Sequence, residues 1–249
     1  MSEEIKKEEA EEVKEEVKKE EGKKKKGLSE NAVEVLVAVF LGITALLTAW
    51  ASWIGSLHGG NQATNYTKSN NLASEGNSEY NAGMQMYLSD MMAWNTMMEY
   101  SFDKALAEAK GEDAEAELIT EKLGTFAEQN CSEILLDAFD QMTDDMESPF
   151  QVEGTVERYF EDANALLAES QELLEQGQKD NANGDAYNLV NVIYSVVLFM
   201  LGIVGVFKKI PNRKAVLFIG VIGLVLATVY MCTIPMPTGF DIGSFFAAK

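Results

Sequence analysis

Histidine is almost missing from this chain, and so is cysteine. The single histidine, His58, removes most zinc sites and histidine-based catalytic arrangements. Two cysteines, Cys131 and Cys232, cannot build a disulfide framework, and their spacing matches no metal site. Two isolated cysteines are read as unpaired packing groups. Basic residues are half as frequent as acidic ones, 20 against 40, which leaves a formal charge of −20 and speaks against nucleic acid as a partner. There is no Gly-rich phosphate loop, no nucleophile elbow and no two-helix Glu-x-x-His set. No segment reads as a strand. These absences predict an all-α protein that is not an enzyme, with no catalytic, cofactor-binding or metal-binding residue to assign.

Charge is also missing locally. From Val35 to Leu57 no residue is charged. These 23 residues rise about 34 Å as an α-helix, enough to cross a hydrocarbon core of about 30 Å. The first transmembrane helix is therefore placed within 31–57. Ala49, Trp50 and Ala51 loosely resemble a signal-peptide cleavage site, but the apolar run is too long and the acidic lead-in is wrong for one. Gly42, Ala45, Ala49, Ser52, Ser56 and Gly59 follow by alternating steps of three and four, so they share one face. Small residues let another helix approach closely where lipid is as apolar as leucine. The stripe is thus expected to contact Leu189–Phe207 or a second copy of the same helix. Trp50 and Trp53 are expected at the headgroup level.

Two further apolar runs come late, giving spans at 188–207 and 215–232. Gly202, Gly205, Gly220, Gly223 and Ala227 offer them close-approach positions. Between the runs lies Lys208 to Lys214, with four positive charges and no acid. Four lysines also stand at Lys23 to Lys26, before the first span. Both basic clusters should be cytoplasmic. The expected topology is a charged cytoplasmic tail over 1–27, an extracytoplasmic domain over 58–187, a cytoplasmic loop over 208–214 and an extracytoplasmic tail over 233–249. The tail 1–27 has i,i+4 Glu/Lys pairs such as Glu15/Lys19 but too little apolar surface for a core. Residues 58–187 hold 27 acids against six bases, net −21, so all the excess negative charge faces outward.

The outer domain should be a helical bundle with a coiled-coil-like hairpin, its first and last helices antiparallel. The stretch after His58 is rich in Asn, Ser and Gly. Yet Ala63, Asn70, Asn77, Met84, Met91, Met98 and Ala105 keep a seven-residue interval, so the first helix is expected to continue outward, with a kink at Gly59 and Gly60 or near Gly76 and Gly83. The stripe of Met84, Leu88, Met91, Asn95, Met98, Phe102 and Ala105 predicts a core face, with Asn95 as a polar residue that fixes register. Gly111 ends the run. Thr125 and Glu128 form a capping box that predicts a helix start, with Cys131, Ile134, Leu135, Ala138, Phe139 and Met142 as its apolar face. Ser148, Pro149 and Gly154 break it. The third stripe is Val156, Tyr159, Ala163, Leu166, Ser170 and Leu173, expected to face the first.

Here the chain resembles a known family. Thr48, Ala49 and Trp50 at the end of the first span, then Gly59, Gly60, Gln62 and Ala63, and Asp185 with Tyr187 before the membrane return, are similar to a pattern in a family of uncharacterised bacterial membrane proteins. The resemblance covers the first span and its exit, the return moderately and the acidic middle hardly at all. His58 departs from it, standing where that family has an aromatic. The resemblance implies topology and carries no activity.

Three functions are weighed. The first is an integral membrane protein of the cell membrane whose acidic outer domain serves assembly or protein contact, its partners being the lipid bilayer and either itself as a homo-oligomer or another membrane protein. The second is an oligomeric channel or transport subunit, with Thr44, Thr48 and Ser52 spaced by four along a polar path. Hydroxyls in such helices more often bond their own backbone, and no span centre carries an ionisable group. The third is a Cu(I) binder using Met84, Met86, Met91, Met92, Met97 and Met98. Thioethers are soft ligands, but three of the six lie on the expected core stripe, where Met is a common gap-filler. Asp144 with Asp145, and Glu112, Asp113, Glu115 and Glu117, lack the calcium-loop order and read as a solvated face. His58 reads as an interfacial polar residue.

Overall fold

The structure is a computed structural model that describes residues 29–207 and 211–243. The charged tail 1–27, Lys208 and Lys209 of the basic loop, and the end of the 233–249 tail lie outside the described residues. Among the described residues every regular element is a helix, as the all-α expectation requires. They are α1 (Glu30–Lys110), α2 (Asp113–Asn130), α3 (Glu133–Gln141), a 3-10 turn (Pro149–Gln151), α4 (Thr155–Arg158), α5 (Glu161–Val206) and α6 (Arg213–Thr233).

Local chemistry sets these limits. Ser29 Oγ accepts from Ala32 N at 3.2 Å and starts α1. The helix then runs 81 residues without interruption, through Gly59, Gly60, Gly76 and Gly83. It ends at Gly111, whose φ of 77° is the left-handed conformation that closes helices. The expected capping box at Thr125 and Glu128 does not start a helix, because α2 already spans both residues. The start lies seven residues later. Ser132 Oγ accepts from Leu135 N at 3.2 Å and caps α3. An extended Cys131–Ser132 step separates α2 from α3, a break that apolar periodicity does not register.

The chain divides into two compact units. The first holds the described residues up to Gly59 together with those from Asn181 onward. It contains the three helical stretches long and apolar enough to cross a membrane. Its core is built from Val33, Val37, Ala51 and Ile54 of α1, Val190, Tyr194, Leu201 and Val204 of α5, and Leu217, Leu224 and Ala227 of α6. The small stripe of α1 is not part of it. Gly42, Ala45, Ala49, Ser52, Ser56 and Gly59 are all exposed, and a Cβ built on Gly42 meets nothing within 4 Å. The expected contact of this stripe with Leu189–Phe207 is therefore corrected: α1 packs by its larger Val and Ile face, where more apolar area is gained per turn. The late glycines do serve close approach. A Cβ on Gly205 would lie 3.3 Å from Val37 and one on Gly223 3.2 Å from Val197, whereas Gly202 has open space.

Arg213 closes one end of this unit. It is 6% exposed, donates from Nε to Val204 O at 2.9 Å and from Nη1 to Glu30 Oε2 at 2.6 Å. The starts of α1 and α6 and the end of α5 thus meet there. The other end is closed by the segment after α6. Phe240 sits edge-on to Trp50 and Trp53, with centroids 6.1 and 5.8 Å away. His58, expected as an interfacial residue without a partner, is buried instead. It is 1% exposed, stacks on Tyr187 at 5.8 Å and has Nε2 3.1 Å from Pro235 O.

The second unit runs from Gly60 to Asp180. Here α1 and α5 pair antiparallel. Tyr66 meets Gly177, Ser69 meets Ser170, Gly76 meets Leu167 and Gly83 meets Tyr159. The buried line on α1 is Ser69, Gly76, Gly83, Asp90 and Met97, and on α5 it is Ala163, Ser170 and Gly177. Both lines keep a seven-residue interval. The expected seam of Ala63, Asn70, Asn77, Met84, Met91, Met98 and Ala105 has the right interval and the wrong phase, by one residue. Its members are exposed or only partly buried. Small residues occupy the true seam because the two backbones nearly touch: a Cβ on Gly83 would stand 2.0 Å from Tyr159 O. Leu135 and Ala138 of α3 are fully buried, in agreement with the expected apolar face of that segment.

Candidate functional site

The most elaborate polar arrangement in the second unit is centred on Asp90. Its position on the seam of α1 turns the carboxyl group inward, where it is 1% exposed. Burying a carboxylate is costly unless donors surround it. Three do. Ser132 N donates to Oδ1 at 2.9 Å, Ser132 Oγ donates to Oδ2, and Tyr159 OH donates to Oδ2 at 2.7 Å. Ser132 Oγ also accepts from Leu135 N, so one hydroxyl caps α3 and anchors it to α1. Tyr87 sits edge-on to Tyr159 and to Phe150, at 5.4 and 5.3 Å, and walls the site.

This environment alters its neighbours. Burial, and next the hydrogen bond to Asp90, push the Tyr159 hydroxyl well above the ordinary tyrosine range. Burial, reinforced by the Asp90 charge, raises the Cys131 thiol. A raised thiol carries less thiolate at neutral pH and is a weaker nucleophile. Cys131 Sγ lies 3.6 Å from Met97 Sδ. The arrangement is a clamp: it fixes α1, the start of α3 and the start of the returning chain by one carboxylate whose acceptor capacity is engaged. A second buried carboxylate, Asp180, accepts from Asn65 Nδ2 at 3.3 Å and Gln176 Nε2 at 3.4 Å. Between the two, Ser170 Oγ donates to Ser69 O at 2.8 Å.

The residues singled out by sequence do not converge. Of the six methionines only Met97 is buried, while Met86, Met91 and Met92 are 46%, 37% and 66% exposed. The core role assigned to Met84, Met91 and Met98 is thus corrected: they lie one residue out of phase with the seam, Met91 exposed and Met84 and Met98 only partly buried. Asp144 and Asp145 are exposed. Thr143 Oγ1 donates to Asp145 Oδ1 at 2.5 Å and holds that carboxyl below its ordinary range. Among the described residues no three His, Cys, Asp or Glu side chains come together as a metal site. Thr44 Oγ1 donates to Phe40 O and Thr48 Oγ1 to Thr44 O, both at 2.7 Å, and Ser52 is exposed. The two threonine hydroxyls are therefore engaged by their own helix.

Sequence reasoning missed Asp90, Ser132 and Tyr159 as a group. The available signal was the seven-residue line of Ser69, Gly76 and Gly83, which continues to Asp90. Comparison with protein-family models, curated proteins and solved structures finds no match.

Proposed function

We propose that this chain is an integral membrane protein of the cell membrane that crosses the bilayer three times and presents an acidic helical domain outside, where it serves assembly or protein contact. The observation that carries the reading is the apolar surface of the first unit. Val35 and Leu46 of α1, Val192 and Phe199 of α5, and Phe218 and Val229 of α6 are each at least half exposed. Such a belt around three long apolar helices suits lipid and not water. The orientation rests on charge. Glu30, Val204 and Arg213 come together at one end of that unit. This supports placing the basic clusters Lys23–Lys26 and Lys208–Lys214 on one side, the cytoplasmic one. The net charge of −21 over 58–187 then lies outside.

An interaction role is favoured over a catalytic one because the buried carboxyl centre at Asp90 is engaged by three donors and offers no reactive group. Nucleic acid is disfavoured by the same acidic charge.

Sidedness tests this reading. In a background of Cys131→Ser and Cys232→Ser, single cysteines are introduced by Glu172→Cys or Pro211→Cys, both at exposed positions. Glu172→Cys is expected to react with an impermeant thiol reagent on intact cells, and Pro211→Cys only after the membrane is opened. The reverse pattern would sink the proposed topology.

A further inference from the structure

The outward face of α1 between Met84 and Leu106 is apolar and uncovered. Leu88 is 50% exposed, Met92 66%, Phe102 68% and Leu106 54%. Leu88 and Phe102 form a continuous three-four stripe with Met84, Met91, Asn95, Met98 and Ala105, and Met92 and Leu106 lie beside it. The buried seam of Gly83, Asp90 and Met97 runs beside it on the same helix, one residue away in phase. An apolar stripe beside an already buried seam widens the face that packing can cover, and the described residues of this chain leave that stripe largely open.

We propose that this stripe is covered by a second copy of this chain, through a parallel, in-register pairing of α1 along Met84–Ala105. Three observations select that occupant. The stripe has the heptad form of a two-stranded coiled coil, with Leu88, Asn95 and Phe102 at one seam position and Met84, Met91, Met98 and Ala105 at the other. Asn95 is exposed and makes no side-chain hydrogen bond within the described chain. A carboxamide both donates and accepts, so Asn95 of one copy is self-complementary to Asn95 of another. This is the arrangement by which a single polar seam residue fixes register and number of strands.

Charge is the third observation. Two copies of a chain with charge −20 repel. From Tyr80 to Met98, however, the only charged residue is Asp90, and it is buried. The face offered to a second copy therefore carries no exposed charge over that stretch. A basic partner would gain nothing from it. The parallel direction rests on the membrane reading above: copies inserted with the same orientation send α1 out of the bilayer in the same direction, and α1 is unbroken from the first span to the stripe.

The test uses the full chain in bilayers, with Cys131→Ser and Cys232→Ser as background. Met91→Cys and Asn95→Cys place a thiol on the seam, and Ser89→Cys places one beside it. Mild oxidation is expected to join two copies through Met91→Cys or Asn95→Cys about tenfold faster than through Ser89→Cys, because proximity raises the effective concentration. Native mass of the parent in detergent is expected to be that of two chains. Leu88→Glu with Phe102→Glu should give one chain with unchanged helical content. A one-chain parent mass overturns the proposal, as does cross-linking through Ser89→Cys that matches the seam positions. Membrane retention is scored separately, so a monomer that stays in the membrane defeats the pairing and leaves the membrane reading standing.

Discussion

Asp90→Ala is expected to unfold the far part of the second unit well before the rest of the chain. The substitution strands the buried Tyr159 OH and removes the acceptor of the half-buried Ser132 N–H and hydroxyl. A buried donor left without a partner costs about 1–3 kcal/mol, and bonds to charged groups stand at the upper end. With two residues affected, the loss should reach about 3 kcal/mol or more. Tyr159→Phe removes one of three donors and leaves the others in place, so about 1 kcal/mol is expected. Hydrogen exchange over residues 87–100 and 128–140 reads the difference. Protection should fall strongly in Asp90→Ala, slightly in Tyr159→Phe, and little in the first unit. Equal loss in the two variants would show that the carboxylate is not the hub.

Gly83→Ala should destabilise the same unit by a different route. In an exposed helix the change would stabilise by about 0.5–1 kcal/mol, since glycine loses more backbone freedom on folding. Here the added Cβ would stand 2.0 Å from the carbonyl oxygen of Tyr159. That atom is backbone and cannot rotate away, so the helices must separate. Overpacking costs about 1–3 kcal/mol and occasionally more, which outweighs the propensity gain. The shift also draws Tyr159 from Asp90, so the penalty should be less than additive with that of Tyr159→Phe. Gly124→Ala is the control. It lies exposed within α2, with nothing within 4 Å of its added Cβ, and should raise stability slightly. A Gly83→Ala variant as stable as Gly124→Ala would mean that the seam is looser than described.

These residues also mark where the sequence was legible. Long uncharged runs identify the three apolar helices, because exclusion of charge over some twenty residues has few other causes. The continuation of α1 past His58 was readable from a seven-residue interval. The phase of that interval was not. Apolar periodicity picks out Leu88, Met91 and Phe102, and those residues face away from the chain's own core. The true seam is made of Ser69, Gly76, Gly83 and Asp90, which hydropathy scores as surface. Where backbones approach to contact, size decides and apolarity does not. His58 shows the same limit: the carbonyl that its Nε2 faces belongs to Pro235, 177 positions away in the chain. Ser132 could not be read as a cap without knowing that the chain turns extended at Cys131.

The central claim is that the three apolar helices lie in lipid. Alkaline carbonate extraction of membranes carrying the full chain tests it most directly. Peripheral proteins are released, while spanning helices stay with the bilayer until detergent is added. The chain is expected to remain in the membrane pellet and to be released by detergent alone. Recovery of the folded chain in the alkaline supernatant would contradict it.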